Sequence, residues 1–162
     1  EMQRSLVGSE MCIRDRPINE QYLFKGASTL TDGLKGNSSY RSGRWIAFNG
    51  NDMDMTIDLQ QPTEISSVAI SVNIAKGDWV FDARNLSVEV SDDGKTFKKI
   101  ASEEYPAMKE TDKDGVVDHQ LTFAPVTTQY VRVIASPEKT LPEWHGGKGK
   151  NAFLFVDEIK ID

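Results

Sequence analysis

Met53-Asp54-Met55-Thr56-Ile57-Asp58-Leu59 alternates apolar and polar side chains without a slip, the period of a strand with one buried face. Gln60-Gln61-Pro62-Thr63 interrupts it. Val68, Ile70, Val72 and Ile74 then resume the alternation, with Ala69, Ser71 and Asn73 facing the other way. Further along, Leu86, Val88 and Val90 form a third run that ends in Ser91-Asp92-Asp93-Gly94-Lys95. There Asp-Gly supplies the positive φ of a tight turn, so Phe97 to Ile100 is predicted to return as a hairpin partner. Leu121 and Phe123, Tyr130 to Ala135, and Phe153 to Ile161 are further β-rich runs, separated by Pro125, Pro137, Pro142 and Gly146-Gly147. Ala101 to Gly115 is polar and charged and is expected to be a solvated loop. Nowhere do apolar residues recur at helical spacing over three turns. Short strands with frequent turn signals predict an all-β chain, an antiparallel β-sandwich around one core.

Composition sets the outer bounds. The 162 residues are 38% hydrophobic and 27% charged, enough for one domain that needs no disulfide or metal to hold a core. Lys plus Arg number 19 against 25 Asp plus Glu, a net charge of -6, the wrong sign for a nucleic-acid backbone or an anionic membrane. No apolar stretch approaches a membrane span, so no membrane insertion is expected. One cysteine, Cys12, and two histidines, His119 and His145, leave no Cys-rich or His-based metal centre.

Residues 1–16 carry three basic and three acidic residues with no sustained period and no turn logic, and are expected to form a tail without fold of its own. Ser5 to Arg16, SLVGSEMCIRDR, resembles translated sequencing-adapter read-through. Residues 17–162 are expected to be the folded module.

Nothing in the chain points to catalysis. There is no G-x-S-x-G elbow, P-loop or H-E-x-x-H motif. Glycoside hydrolysis needs two carboxyl groups facing one bond, and adjacent residues such as Asp157-Glu158 on a regular strand point to opposite faces. No catalytic residue is therefore assigned. Binding is more legible. Trp45, Trp79 and Trp144 each sit in or beside a turn-rich stretch, and an exposed aromatic ring ringed by hydrogen-bonding groups suits the apolar face and hydroxyl rim of a sugar. Trp144-His145 precedes Gly146-Gly147, where glycines permit a close approach, and Arg41 and Arg44 flank Trp45 as donors. The ligand-binding set is thus Arg41, Trp45, Trp79, Trp144 and His145. Each tryptophan has an alternative as a core cap, most strongly Trp45, which directly precedes a strand. His119 is expected at a surface or edge.

The order of pieces carries more than any one of them: Leu30-Thr31-Asp32-Gly33, Trp45, Ile57-Asp58-Leu59, Val90-Ser91-Asp92-Asp93-Gly94-Lys95-Thr96-Phe97, Tyr130-Val131-Arg132-Val133 and Asp157-Glu158-Ile159. Together they resemble the coagulation factor V/VIII type C, or discoidin-like, domain over roughly residues 23–162. The resemblance implies an eight-stranded, galactose-binding-like jelly roll shared with many carbohydrate-binding modules. More narrowly, LTDGLKGNSSYRSGRW, GDWVF and LPEWHGGKGKNAFLFVDEIKI resemble the C-terminal domain of Bacteroidetes β-N-acetylhexosaminidases. This implies an accessory module of a periplasmic, cell-surface or secreted glycoside hydrolase, whose partners are a glycan and the parent enzyme's catalytic domain. It also implies a structural Ca²⁺, with Asp32 and Glu158 giving carboxylates and Thr29, Leu34, Asn37 and Asp157 mainly carbonyls. On the residues alone, Asp32 suits an Asx-turn before Gly33 and Glu158 a solvated edge position. A competing role is structural, a domain packed on the catalytic barrel with no sugar site. A large apolar patch would favour that role and an aromatic shelf would favour binding.

Overall fold

The computed structural model describes residues 10–13, as backbone, and 45–162. These form seven strands: β1 (Glu10–Ile13), β2 (Ile46–Asn49), β3 (Met53–Ile74), β4 (Asn85–Ser91), β5 (Lys98–Glu104), β6 (Gly115–Ser136) and β7 (Phe153–Ile161). Every strand pair is antiparallel, in the order β2-β7-β3-β6-β4-β5, with β1 on β3. The expected all-β antiparallel architecture is the one observed.

Two strands of 22 residues organise it. Met53 to Asp58 of β3 pair with Ala135 to Tyr130 of β6, and Thr63 to Ile74 pair with Thr128 to Gly115. β4 joins only the first of these ladders and β7 only the second. The long pair thus runs through both layers of a sandwich and bends between them, where the register shifts at Asp58/Thr63 and Ile65/Ser67. The break read at Gln60-Gln61-Pro62-Thr63 is this bend, so the two predicted strands are one. Gln60 has φ +72° and donates its amide to Asp58 Oδ1 at 2.7 Å. Pro62 and Pro125, which lack an N–H for a ladder, fall at the shifts.

Inward side chains from both layers meet in one core. Met55, Ile57, Val88, Val131 and Val133 from the first pack with Val68, Ile70, Val72, Val156 and Ile159 from the second. The predicted hairpin joins β4 to β5. Asp93 accepts from the amides of Lys95 and Thr96 and from the Ser91 hydroxyl, at 2.8, 3.0 and 2.9 Å. These bonds hold its carboxyl at about 2, well below the usual range. Gly94, at φ +73°, lies against Tyr130.

Two boundaries differ from the sequence expectation. Residues Glu10–Ile13, within the segment expected to be a tail, pair with Asp58 to Met55 of β3. Such pairing runs through backbone groups and needs no side-chain period. The expected loop from Ala101 to Gly115 begins later, because β5 continues to Glu104 on β4.

Strand ends gather the loops at one end of the sandwich. Ile74 pairs with Gly115, Asn85 with both Ser136 and Glu104, and Asn49 with Phe153. The segments 50–52, 75–84, 105–114 and 137–152 therefore emerge together.

Candidate functional site

Loop 75–84 opens with one 3-10 turn, Lys76–Asp78, capped by Trp79 in the left-handed conformation at φ 68°, ψ 17°. A non-glycine residue there carries about 1–2 kcal/mol of backbone strain, and such strain concentrates at functional positions. It is held by the Trp79 amide, which donates to Lys76 O at 3.1 Å, and by bonds that stitch Trp79 and Phe81 to Phe153 at 2.8 and 3.0 Å. The turn sends Val80 and Phe81 into the interior and leaves the Trp79 indole 37% exposed. That indole rests on Gly147. A Cβ at Gly147 would lie 2.8 and 2.9 Å from its Cε2 and Cζ2, closer than carbon atoms can sit, so the glycine makes room for the ring.

His145 fixes this seat. Its Nε2 donates to the Lys76 carbonyl at 2.6 Å, and its Nδ1 accepts from the Gly147 amide at 2.9 Å. Its ring stands edge-on to Trp79, Phe81 and Trp144, with centroids at 6.5, 5.5 and 5.8 Å. Trp144 stacks on buried Phe81 at 5.8 Å and 16°. From the third loop, Asp114 accepts from the Lys76 amide at 3.1 Å and from its ammonium at 2.8 Å, and Asp112 O accepts from the same ammonium. Burial pushes the Asp114 carboxyl up, but the hydrogen bonds and charge of Lys76 outweigh this and hold it below the usual carboxylate range.

A second cluster pins the same loops from beneath. His119 Nε2 meets Asp82 Oδ1 at 2.6 Å, and its ring stacks on Tyr105 at 4.0 Å. Burial first, then the charges of Glu103 and Asp82, pushes the Tyr105 phenol up to about 12. Two open polar clefts, of about 260 and 270 Å³, flank the site. Arg84, Asn85, Ser136, Glu138 and Lys139 line one, and Ser87, Lys99 and Ser102 belong to the other. Among the described residues lining them, neither has an aromatic ring.

The sequence-derived ligand set divides in the fold. Trp79 is exposed as a platform requires, and Trp144 stands beside it with one face covered by Phe81. His145 belongs to the cluster, but backbone groups of its own chain take up both ring nitrogens. Trp45 is a correction: it is fully buried against Ala47, Val80 and Phe155, because it enters a strand whose side chains here face the interior. Arg41 lies outside the described residues. Gly147 lies against the Trp79 indole. His119, expected at a surface or edge, is mostly buried in its pair with Asp82. Lys76, Phe81 and Asp114 are not in the sequence-derived site sets, although GDWVF and the charged stretch from Ala101 to Gly115 marked their neighbourhoods.

For the metal set, Thr29, Asp32, Leu34 and Asn37 lie outside the described residues. Asp157 and Glu158 are both buried, at 0% and 5% exposure. They do not alternate across the strand as expected. Val156 pairs opposite Val72 and Ile159 opposite Ile70, so three steps of β7 match two of β3 and the acidic pair forms a β-bulge. Val156 and Ile159 both enter the core, so the pair together replaces one outward residue. Two neighbouring buried carboxylates are the hard oxygen donors a calcium ion takes. Among the described residues, no group of three or more acidic, histidine or cysteine side chains is arranged to hold a metal. Nor is any helix long and apolar enough to cross a membrane.

The sequence profile of the F5/8 type C domain matches residues 16–153. No curated protein matches the chain by sequence. Among solved structures, the chain resembles CpGH89CBM32-5 of Clostridium perfringens, in complex with GalNAc-β-1,3-galactose, at 15% identity over 99% of both chains with a TM-score of 0.61. It also resembles the CBM32 of AlyQ in complex with 4,5-unsaturated mannuronic acid, at 14% identity over 100% of this chain and 98% of that one, TM-score 0.55. A Ruminococcus gnavus GH29 fucosidase in complex with fucose matches at 12% identity and TM-score 0.59, over 98% of this chain and 26% of that one. At such identities the likeness shows the fold.

Proposed function

The chain belongs to the F5/8 type C domain family, and on that premise we propose that it is a non-catalytic carbohydrate-binding module that seats a neutral glycan on Trp79. The observation that carries this reading is a half-exposed indole held in a strained left-handed turn and bedded on a glycine. A ring so placed presents a fixed apolar face to the C–H face of a sugar, with little side-chain entropy left to lose. Asp78 precedes it in the chain, and Glu143 and Lys148 lie on the loop that carries Gly147. On this reading the module acts by raising the local concentration of an attached enzyme.

The finer assignments extend this proposal. The parent is a glycoside hydrolase acting on N-acetylhexosaminides, a β-N-acetylhexosaminidase placed in the periplasm, at the cell surface or outside the cell, on the motifs quoted above. A structural Ca²⁺ would be held by Asp157 and Glu158 with Thr29, Asp32, Leu34 and Asn37; it would brace the sheet and take no part in sugar contact. The alternative of a purely structural domain predicts a broad apolar docking patch. Trp79 and Val116 are the exposed large hydrophobic residues among those described, which favours binding. The test is calorimetric titration of the full chain with N-acetylgalactosamine, galactose and galacturonic acid. Saturable binding of the neutral sugars, lost in Trp79→Ala, is expected. Equal binding by wild type and Trp79→Ala would overturn the assignment.

A further inference from the structure

We infer that His145 is a proton-sensitive positioning residue: neutral, it locks Trp79 in its sugar-ready pose, and its second proton releases that pose. The inference rests on the reading of Trp79 as platform and adds its regulation.

The hydrogen-bond roles around the ring leave one charge state that fits. A carbonyl can only accept, so Nε2 must carry a proton for Lys76 O at 2.6 Å. A backbone amide can only donate, so Nδ1 must be bare for Gly147 N–H at 2.9 Å. An imidazolium would set one N–H against another at that distance. Either the Gly147 peptide turns away or the ring leaves its slot, and both disturb Trp79. Gly147 lies directly beneath the indole, and Lys76 O, the other anchor of His145, also accepts the Trp79 amide that caps the left-handed turn. One imidazole thus ties the floor under the indole to the backbone that aims it.

From loop 75–84 the charged neighbours of the ring are Lys76 and Asp78. Asp112 and Asp114 approach from loop 105–114, where the Asp114 carboxylate is committed to the Lys76 ammonium. On its own loop, Glu143 and Lys148 form an exposed pair at 3.6 Å, with Lys150 beyond. Among the described residues, the partners of the two nitrogens of His145 are backbone groups. His119 is the internal contrast, because its Nε2 already donates to Asp82, so a second proton, taken at Nδ1, leaves that bond in place.

The experiment needs no sugar for its first arm. Nitrogen-15 NMR of the full chain, followed from pH 8 to pH 5, the interval over which histidine switches operate, should show the Nε2–H tautomer of His145 at the alkaline end. The Gly147 amide and the Trp79 indole N–H should then move together with the His145 titration. In the second arm, wild-type affinity for N-acetylgalactosamine should fall roughly tenfold across that interval. His145→Gln, which has no second proton to take, should bind more weakly at pH 8 and change less than about twofold. His119→Gln should keep the wild-type profile. A His145 titration that leaves Gly147 and Trp79 unmoved, or an Nδ1–H tautomer at pH 8, would overturn the latch. If the first arm succeeds while no sugar binds at any pH, the latch stands and the glycan reading fails.

Discussion

Trp45 and Val80 pack together in the interior, whereas Trp79, one residue before Val80, is turned out of it. Trp45 has no exposed surface and Trp79 keeps 37%. Residue type and turn-rich surroundings are alike; the backbone differs. Trp45 leads directly into β2, whose side chains are buried, while Trp79 occupies a left-handed position that swings its indole away from the path of the strand. An aromatic in a loop becomes a platform when the backbone holds it outward and something small lies beneath it. Gly147 meets the second condition for Trp79.

The largest effect expected from this contrast is on stability. Trp45→Ala should cost about 3–5 kcal/mol in denaturant unfolding, since the lost side chain leaves a cavity, yet the folded fraction should keep its sugar affinity. Reduced affinity per folded molecule would break the division of labour. Calcium removal sharpens the same division from the sheet side. A chelator should lower the melting temperature, corresponding to about 2–3 kcal/mol at metal concentrations near a hundred times Kd, and Asp32→Ala should reproduce that temperature while Asp112→Ala does not. An unchanged melting curve would remove calcium from the account.

Trp79→Ala should reverse the pattern of Trp45, losing roughly tenfold or more in glycan affinity, about 1.4 kcal/mol, with much less change in unfolding. Trp79→Gly should bind equally poorly but be more stable than Trp79→Ala by about 1 kcal/mol, because glycine relieves the left-handed strain. Equal stability of the two variants would mean the turn is unstrained. The smallest effect is acid sensitivity. The Asp114 carboxyl is held low in the fold, so its contribution is present above about pH 4, the unfolded value, and fades as pH falls through the lower folded one. Amide exchange in segments 75–84 and 105–114 should therefore rise below pH 4, in wild type and not in Asp114→Asn, while the strand bearing Trp45 stays protected.

Much of the fold was legible because alternation survives wherever one face of a strand is buried. Met53 to Leu59, Val68 to Ile74, Leu86 to Val90 and the Asp93-Gly94 turn all lie where their periods put them. The joining of two predicted strands into β3 was not, since a proline in a polar stretch looks the same at a bend as at a chain break. The bulge at Asp157-Glu158 did leave a signal. The core residues Leu154, Val156, Ile159 and Ile161 step by two, three and two, and the odd step marks the extra residue. The site was legible as residue types and illegible as roles. His145 meets Lys76 across 69 positions of sequence, and no local pattern distinguishes a histidine that touches sugar from one that holds a loop. For Trp45 the position directly before a strand favoured the core alternative, which is the one observed, while its partners Val80 and Phe155 are remote in the chain.

The most direct test is to follow the three indole N–H resonances of the full chain by NMR while N-acetylgalactosamine is raised to ~50 mM, a range suited to weak millimolar binding. The account predicts a saturable shift of the Trp79 indole with Trp45 unmoved. No indole shift over that range, or a saturable response that persists in Trp79→Ala, would contradict it.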